Sequence, residues 1–327
     1  MIYFDDLLMK VSIRLLGFFL GSFFLIWSFS LVNWDLFFLA LTSMNPAWVV
    51  LSAASLFISM LLRSVRWHVV TGLPLKDKIK VWEATCIGYL GTAIYPARAG
   101  DVMRMLRLQQ LTGLGGGMAI GSGVIDRIIE GLGLCGLLLV LMLSWKVGLE
   151  ASQWLIVVAL LFLAAAVAAT VFVVSGHRLQ GLFARLSVWG KWGVHLKRWY
   201  EQSLAGLQVL RSPRRLILAF SMQGLVSLFD VLACWLLIRS FGWALPFMVG
   251  AVVLVYIAAA ASLPSSPGYV GVYQIATLFA LRPYGIDDSS SVAYGTVLQV
   301  LTLILFICSG SWAFLKHRAR NHHGKYR

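Results

Sequence analysis

Runs of about twenty apolar residues recur from one end of the chain to the other. Each is long enough to carry a helix through a hydrocarbon layer roughly 30 Å thick. Six runs are uninterrupted: 11–32, 47–68, 122–145, 153–175, 216–238 and 291–315. Backbone amides find no water inside a bilayer, so such runs cross as helices, and the fold class expected is an all-α integral membrane protein with six full transmembrane helices. Composition points the same way. Of 327 residues, 60% are hydrophobic and 12% charged, where soluble domains have about 45–50% and about 25%. Residues 1–327 are therefore read as a single membrane domain. The first run follows Asp5 and Asp6, is longer than a signal-peptide core and precedes no small-x-small cleavage site, so it is expected to be a retained span.

Two more apolar stretches are broken. Residues 81–111 are interrupted at Tyr95, Pro96, Ala97, Arg98, Ala99 and Gly100; residues 246–281 are interrupted from Leu263 through Pro264, Ser265, Ser266 and Pro267 to Gly268. Proline removes a backbone donor and restricts the residue before it, while glycine opens conformations other residues avoid, so each break ends a helix. The arms are too short to span. The spacing predicts two re-entrant helical hairpins.

The net charge of +14 has the sign that nucleic acid would attract. Position argues otherwise, because the cations fall in the short links between apolar runs. With the N-terminus inside and both hairpins returning to the side they enter, 20 of the 27 Lys and Arg residues lie in cytoplasmic links, Arg63 and Arg66 among them. Three, Lys146, Arg239 and Arg282, lie outside. Full crossings in place of the hairpins would destroy that asymmetry, so both termini are expected in the cytoplasm and the protein in the cell inner membrane, with no nucleic-acid partner.

Residues 11–145 then read span, span, hairpin, span, and residues 153–315 repeat that order in the opposite orientation. An inverted repeat with broken helices at matching positions points to a secondary-transporter site near the midplane. Between the halves, residues 176–214 alternate apolar and basic positions at helical spacing, the pattern of an amphipathic link lying on anionic lipid at the cytoplasmic surface.

Charge inside the membrane is costly and marks the site. At the first break Arg98, Asp101, Arg104 and Arg107 fall within ten residues. One carboxylate among three guanidiniums leaves positive charge, and the planar guanidinium fork suits a phosphate or carboxylate, so an anionic head group is the natural ligand. Asp126, Arg127 and Glu130 share one helical face at the start of the third full span. Asp230 stands alone in an apolar run, so it should be paired with an arginine or protonated; with Asp126 it is a candidate for ion coupling. At the second break Ser265, Ser266 and Tyr269 can meet the polar part of a head group, with Tyr273 and Gln274 just beyond. The glycines from Gly113 to Gly117 lack the Lys-Ser/Thr of a phosphate loop, and Cys86, Cys135, Cys234 and Cys308 form no CxxC pair. Neither a metal nor a cofactor is indicated.

The residues at the first break and after it resemble a known group, the flippase-like family related to the transmembrane region of lysylphosphatidylglycerol synthase. A Pro-x-Arg-x-Gly-acid-x-x-Arg run is matched by Pro96, Arg98, Gly100, Asp101 and Arg104. An acid-Arg-x-x-acid element is matched by Asp126, Arg127 and Glu130, and a Pro-Gly-rich turn by Leu263 to Gly271. The resemblance covers nearly the whole chain and implies a lipid or lipid-linked substrate. The aminoacyl-transferase domain fused to some relatives has no counterpart in these residues, so no enzyme activity is expected. The function expected is therefore a lipid translocase, moving a phosphate-bearing or polyprenyl-phosphate-linked lipid whose head meets the arginines of the first hairpin. The alternatives are a membrane-embedded enzyme acting on a lipid head group and a transporter of a small soluble anion.

Overall fold

A computed structural model describes residues 23, 25–95, 99–144, 212–261 and 267–324, with isolated helical positions at 157, 160 and 164. Among them every regular element is helical. In chain order these are α1 (Trp34–Thr42), α2 (Pro46–Thr71), α3 (Lys78–Ile94), α4 (Ala99–Thr112), α5 (Gly116–Ser144), α6 (Pro213–Ser240), α7 (Phe247–Ala261), α8 (Val272–Leu281) and α9 (Asp288–Gly324). By length and composition, α2, α6 and residues Asp288–Lys316 of α9 can cross a membrane. They occupy three of the expected spans. The expected span 11–32 is described only at 23 and 25–32, and the span 153–175 and the amphipathic link 176–214 lie almost wholly outside the described residues.

Helix α5 runs for 29 residues and begins at Gly116, ahead of the expected boundary at 122. The cause is local: Gly113 adopts φ +72° and its N–H bonds to the Gln109 carbonyl at 2.9 Å, which closes α4 and lets the chain turn into α5 within three residues. Helix α1 was not anticipated. It forms in the link before α2 because Asn33 caps it, its side chain accepting from the Asp35 amide at 3.0 Å, and because Trp34 and Phe37 pack on Phe29. Asn45 caps α2 in the same way, with Pro46 at its first position.

The two broken stretches come out as pairs of short helices, α3 with α4 and α7 with α8, each pair packed on itself. The breaks fall where proline and glycine place them. Helices α2 and α6 lie along one another, α9 packs on α3, and α5 packs on α7. The packing of α9 on α3 is thus matched by that of α5 on α7.

The turn entering α8 has φ +63° at Gly268, +58° at Tyr269 and +82° at Gly271. A tyrosine in the left-handed region needs support. Gln299 supplies it by donating to the Gly268 carbonyl at 2.9 Å, while the Gln274 side chain accepts from the Gly271 amide at 3.0 Å and donates to Gln299 at 2.8 Å. Gln274, which the sequence places just beyond the expected head-group contacts, is engaged in holding this turn. Its neighbour Tyr273 does face the cavity described next.

Candidate functional site

Helix α2 carries Ser52, Ser55, Ser59, Arg63 and Arg66 at intervals of three and four, so all five lie on one face. That face meets α6. Ser52 donates to the Ala233 carbonyl at 2.8 Å, Ser55 to the Phe229 carbonyl at 2.7 Å, and Ser59 to the Asp230 carboxylate. The two arginines continue this polar seam into a cluster with α4 and α5.

Six charges close a ring of alternating sign. Arg127 bonds Asp101 on one side and Glu130 on the other, the latter at 2.6 Å. Glu130 lies 3.7 Å from Arg66, which donates to Asp126 at 2.8 Å; Asp126 accepts from Arg104 at 3.0 Å. Arg104 returns to Asp101 at 3.3 Å. Arg63 hangs from this ring by its ion pair to Glu130 and reaches across to Asp230 at 2.6 Å. The second half adds Gln223, whose side-chain oxygen accepts from Arg66. The ring thereby ties α2, α4 and α5 to α6.

Burial divides the ring. Arg66 and Asp126 are each 1% exposed, whereas the Arg127 side chain is 38% exposed. Arg104 is buried over Trp67, its guanidinium carbon 4.7 Å from the ring centre, and its Nη2 has no hydrogen-bond partner among the described residues. The inner side is structural: breaking such a pair leaves an uncompensated buried charge. The outer side faces a cavity of about 240 Å³ between the two halves. Ser59, Arg63, Arg127, Glu130, Asp230 and the tyrosines 89, 269 and 273 are among its polar lining. Leu56, Met60, Leu134, Leu254, Ile257 and Leu305 are among its apolar lining. Tyr89 is fixed by stacking on Phe306, ring centres 4.6 Å apart.

Most site residues expected from the sequence therefore converge. Asp101, Arg104, Asp126, Arg127 and Glu130 belong to one cluster, Asp230 is paired with an arginine as anticipated, and Tyr269 lines the cavity. Arg98, Ser265 and Ser266 lie outside the described residues. Two expectations change among the described residues. The surplus of positive charge is not seen there, because the four guanidiniums of the cluster meet four carboxylates and Arg107 turns away to Glu83 at 2.8 Å, while Arg98, part of the expected surplus, lies outside them. Arg63 and Arg66, counted as link cations, sit inside α2 in the cluster. Arg63, Arg66, Glu83 and Gln223 were missed, although the helical spacing of Ser52 to Arg66 was a readable signal.

Gly100, inside the motif, is required by contact. Helices α3 and α4 approach so closely there that a β-carbon on Gly100 would overlap the Gly88 carbonyl oxygen and the Thr92 hydroxyl. The obstructing carbonyl is backbone and cannot swing aside. Gly100→Val is expected to destabilise the protein by about 1–3 kcal/mol, seen as a lower unfolding midpoint in detergent; an unchanged midpoint would mean that the hairpin is not packed this tightly.

Residues 14–310 match the family described as the lysylphosphatidylglycerol synthase TM region. No curated protein and no solved structure matches the chain significantly. The family match takes in every charged residue of the cluster and both pairs of short helices, and the chain belongs to the family of the lysylphosphatidylglycerol synthase transmembrane region.

Proposed function

We propose that the protein is a lipid translocase of the cell inner membrane, moving a phosphate-bearing or polyprenyl-phosphate-linked lipid between leaflets. The observation that carries this reading is the mixed lining of the cavity. Its arginines, Arg63 and Arg127, offer forked donors to a phosphate, while its leucines offer an acyl or prenyl chain a surface like the bilayer interior. Asp230 lies ten residues from the C-terminal end of α6, about 15 Å along the helix, which is half the thickness of a hydrocarbon layer. A head group held there is midway between leaflets.

In this proposal the pairs α3/α4 and α7/α8 are re-entrant hairpins of an inverted repeat, entering from opposite sides and alternating access to the cavity. Arg98 would serve as a further phosphate ligand at the first break, with Ser265 and Ser266 at the second. The termini are placed in the cytoplasm: with Arg63 and Arg66 removed from the link cations, eighteen remain on that side against three outside.

The test is reconstitution in vesicles carrying a tail-labelled phosphatidylglycerol or a labelled polyprenyl phosphate. The protein is expected to speed the exchange of label between leaflets, read by quenching the outer leaflet, and mass spectrometry should find the head group unaltered. No acceleration for either lipid would overturn the reading. A chemically changed head group would replace it with a membrane-embedded enzyme.

A further inference from the structure

Among the described residues the four guanidiniums of the cluster balance its four carboxylates. A lipid phosphate that takes over Arg63 leaves the carboxylates held by Arg63 short of one cation. Uncompensated charge is strongly disfavoured at that depth. One proton taken up by a carboxylate restores the balance, and the question is which carboxylate accepts it.

The four carboxylates differ in how many guanidiniums hold them. Glu130 touches three, Asp101 and Asp126 two each, and Asp230 a single one, Arg63. Arg63 is also the arginine that the cavity shares with Asp230. If it turns to a phosphate, Asp230 alone loses every cation that the described residues give it. Its surroundings then suit a neutral acid. Ser59 of α2 donates to its Oδ1, and a hydroxyl can also accept, so the protonated form keeps a partner. The other polar groups lining the cavity with it are Arg127 and Glu130 of α5, the hydroxyls of Tyr89, Thr92, Tyr269, Tyr273 and Thr302, and Cys234 on its own helix; the cavity residues of α7 carry no titratable group.

We propose that an anionic head group draws Arg63 away from Asp230, that Asp230 takes a proton from cavity water at Oδ2, and that the protein thus moves one proton with each anionic lipid. Head group and proton thus enter together. The proposal rests on the translocation reading and adds its coupling ion.

The experiment is calorimetric titration of the full-length protein in detergent with dioctanoyl phosphatidylglycerol, repeated in buffers of different ionisation enthalpy. The expected result is an uptake of about one proton per lipid, with affinity falling about tenfold per pH unit over the range where the free carboxylate is ionised. In Asp230→Asn the uptake should vanish while binding persists. Because that variant could fail to fold, an infrared difference spectrum of the wild-type protein serves as a second measurement, and a protonated carboxyl band should appear on lipid addition. Binding with no proton uptake and no such band would overturn the coupling and leave translocation standing. No binding heat, together with no leaflet exchange of the same head group, would overturn the phosphatidylglycerol reading and the coupling with it.

Discussion

Arg66→Met is expected to lower the unfolding free energy by about 3–5 kcal/mol, even though it trades a charge for an apolar side chain in a membrane helix. Arg66 is 1% exposed and holds Asp126, equally buried, at 2.8 Å, along with the Gln223 side chain. Removing it leaves Asp126 to Arg104 alone and strips the Gln223 side-chain oxygen of its donor. The loss should appear as a lower midpoint when the detergent-solubilised protein is titrated with a denaturing detergent. Asp126→Leu added to Arg66→Met should recover a large part of it, because the count of charges is again balanced and apolar replacement of a whole buried pair is often close to neutral. Wild-type stability in the single variant would show that the inner ring carries no structural load.

Arg127→Lys should behave in the opposite way, leaving folding unchanged and cutting translocation about 10- to 100-fold, the effect of losing a charged, forked hydrogen-bond pair. Arg127 is the most exposed arginine of the cluster and reaches the cavity. Its carboxylates do not depend on it: Asp101 keeps Arg104, and Glu130 keeps Arg63 and Arg66. Lysine preserves the charge but presents a point donor in place of the planar fork. The comparison is leaflet exchange by wild type, Arg127→Lys and Arg127→Gln at matched protein content. Equal rates for wild type and lysine would mean that the site asks only for a positive charge. Equal rates for all three would take Arg127 out of the head-group site.

The residues of the site were legible in sequence to the extent that their cost was. Asp101, Arg104, Asp126, Arg127, Glu130 and Asp230 stand out because a charge in an apolar run is expensive whatever it pairs with. Arg63 and Arg66 did not stand out, since they sit toward the end of an apolar run where a basic residue also reads as a topology signal. Glu83 was overlooked because its partner Arg107 lies on the other arm of the hairpin. The role of Gln274 was not legible either, because holding a left-handed turn through Gln299 joins side chains from two helices.

What the sequence by itself determined are the properties that each segment carries alone. Run length against bilayer thickness set the membrane class and the helices α2, α6 and α9; proline and glycine set where α3/α4 and α7/α8 break. Only the tertiary structure decided how the charges are shared. Arg66 and Asp126 are 60 residues apart in the chain, and Arg63 and Asp230 are 167 apart. The sequence near Arg98 reads as a surplus of positive charge, yet among the described residues the folded cluster is balanced, because neutralisation in a low-dielectric interior depends on which helices meet and no window of the chain contains that information.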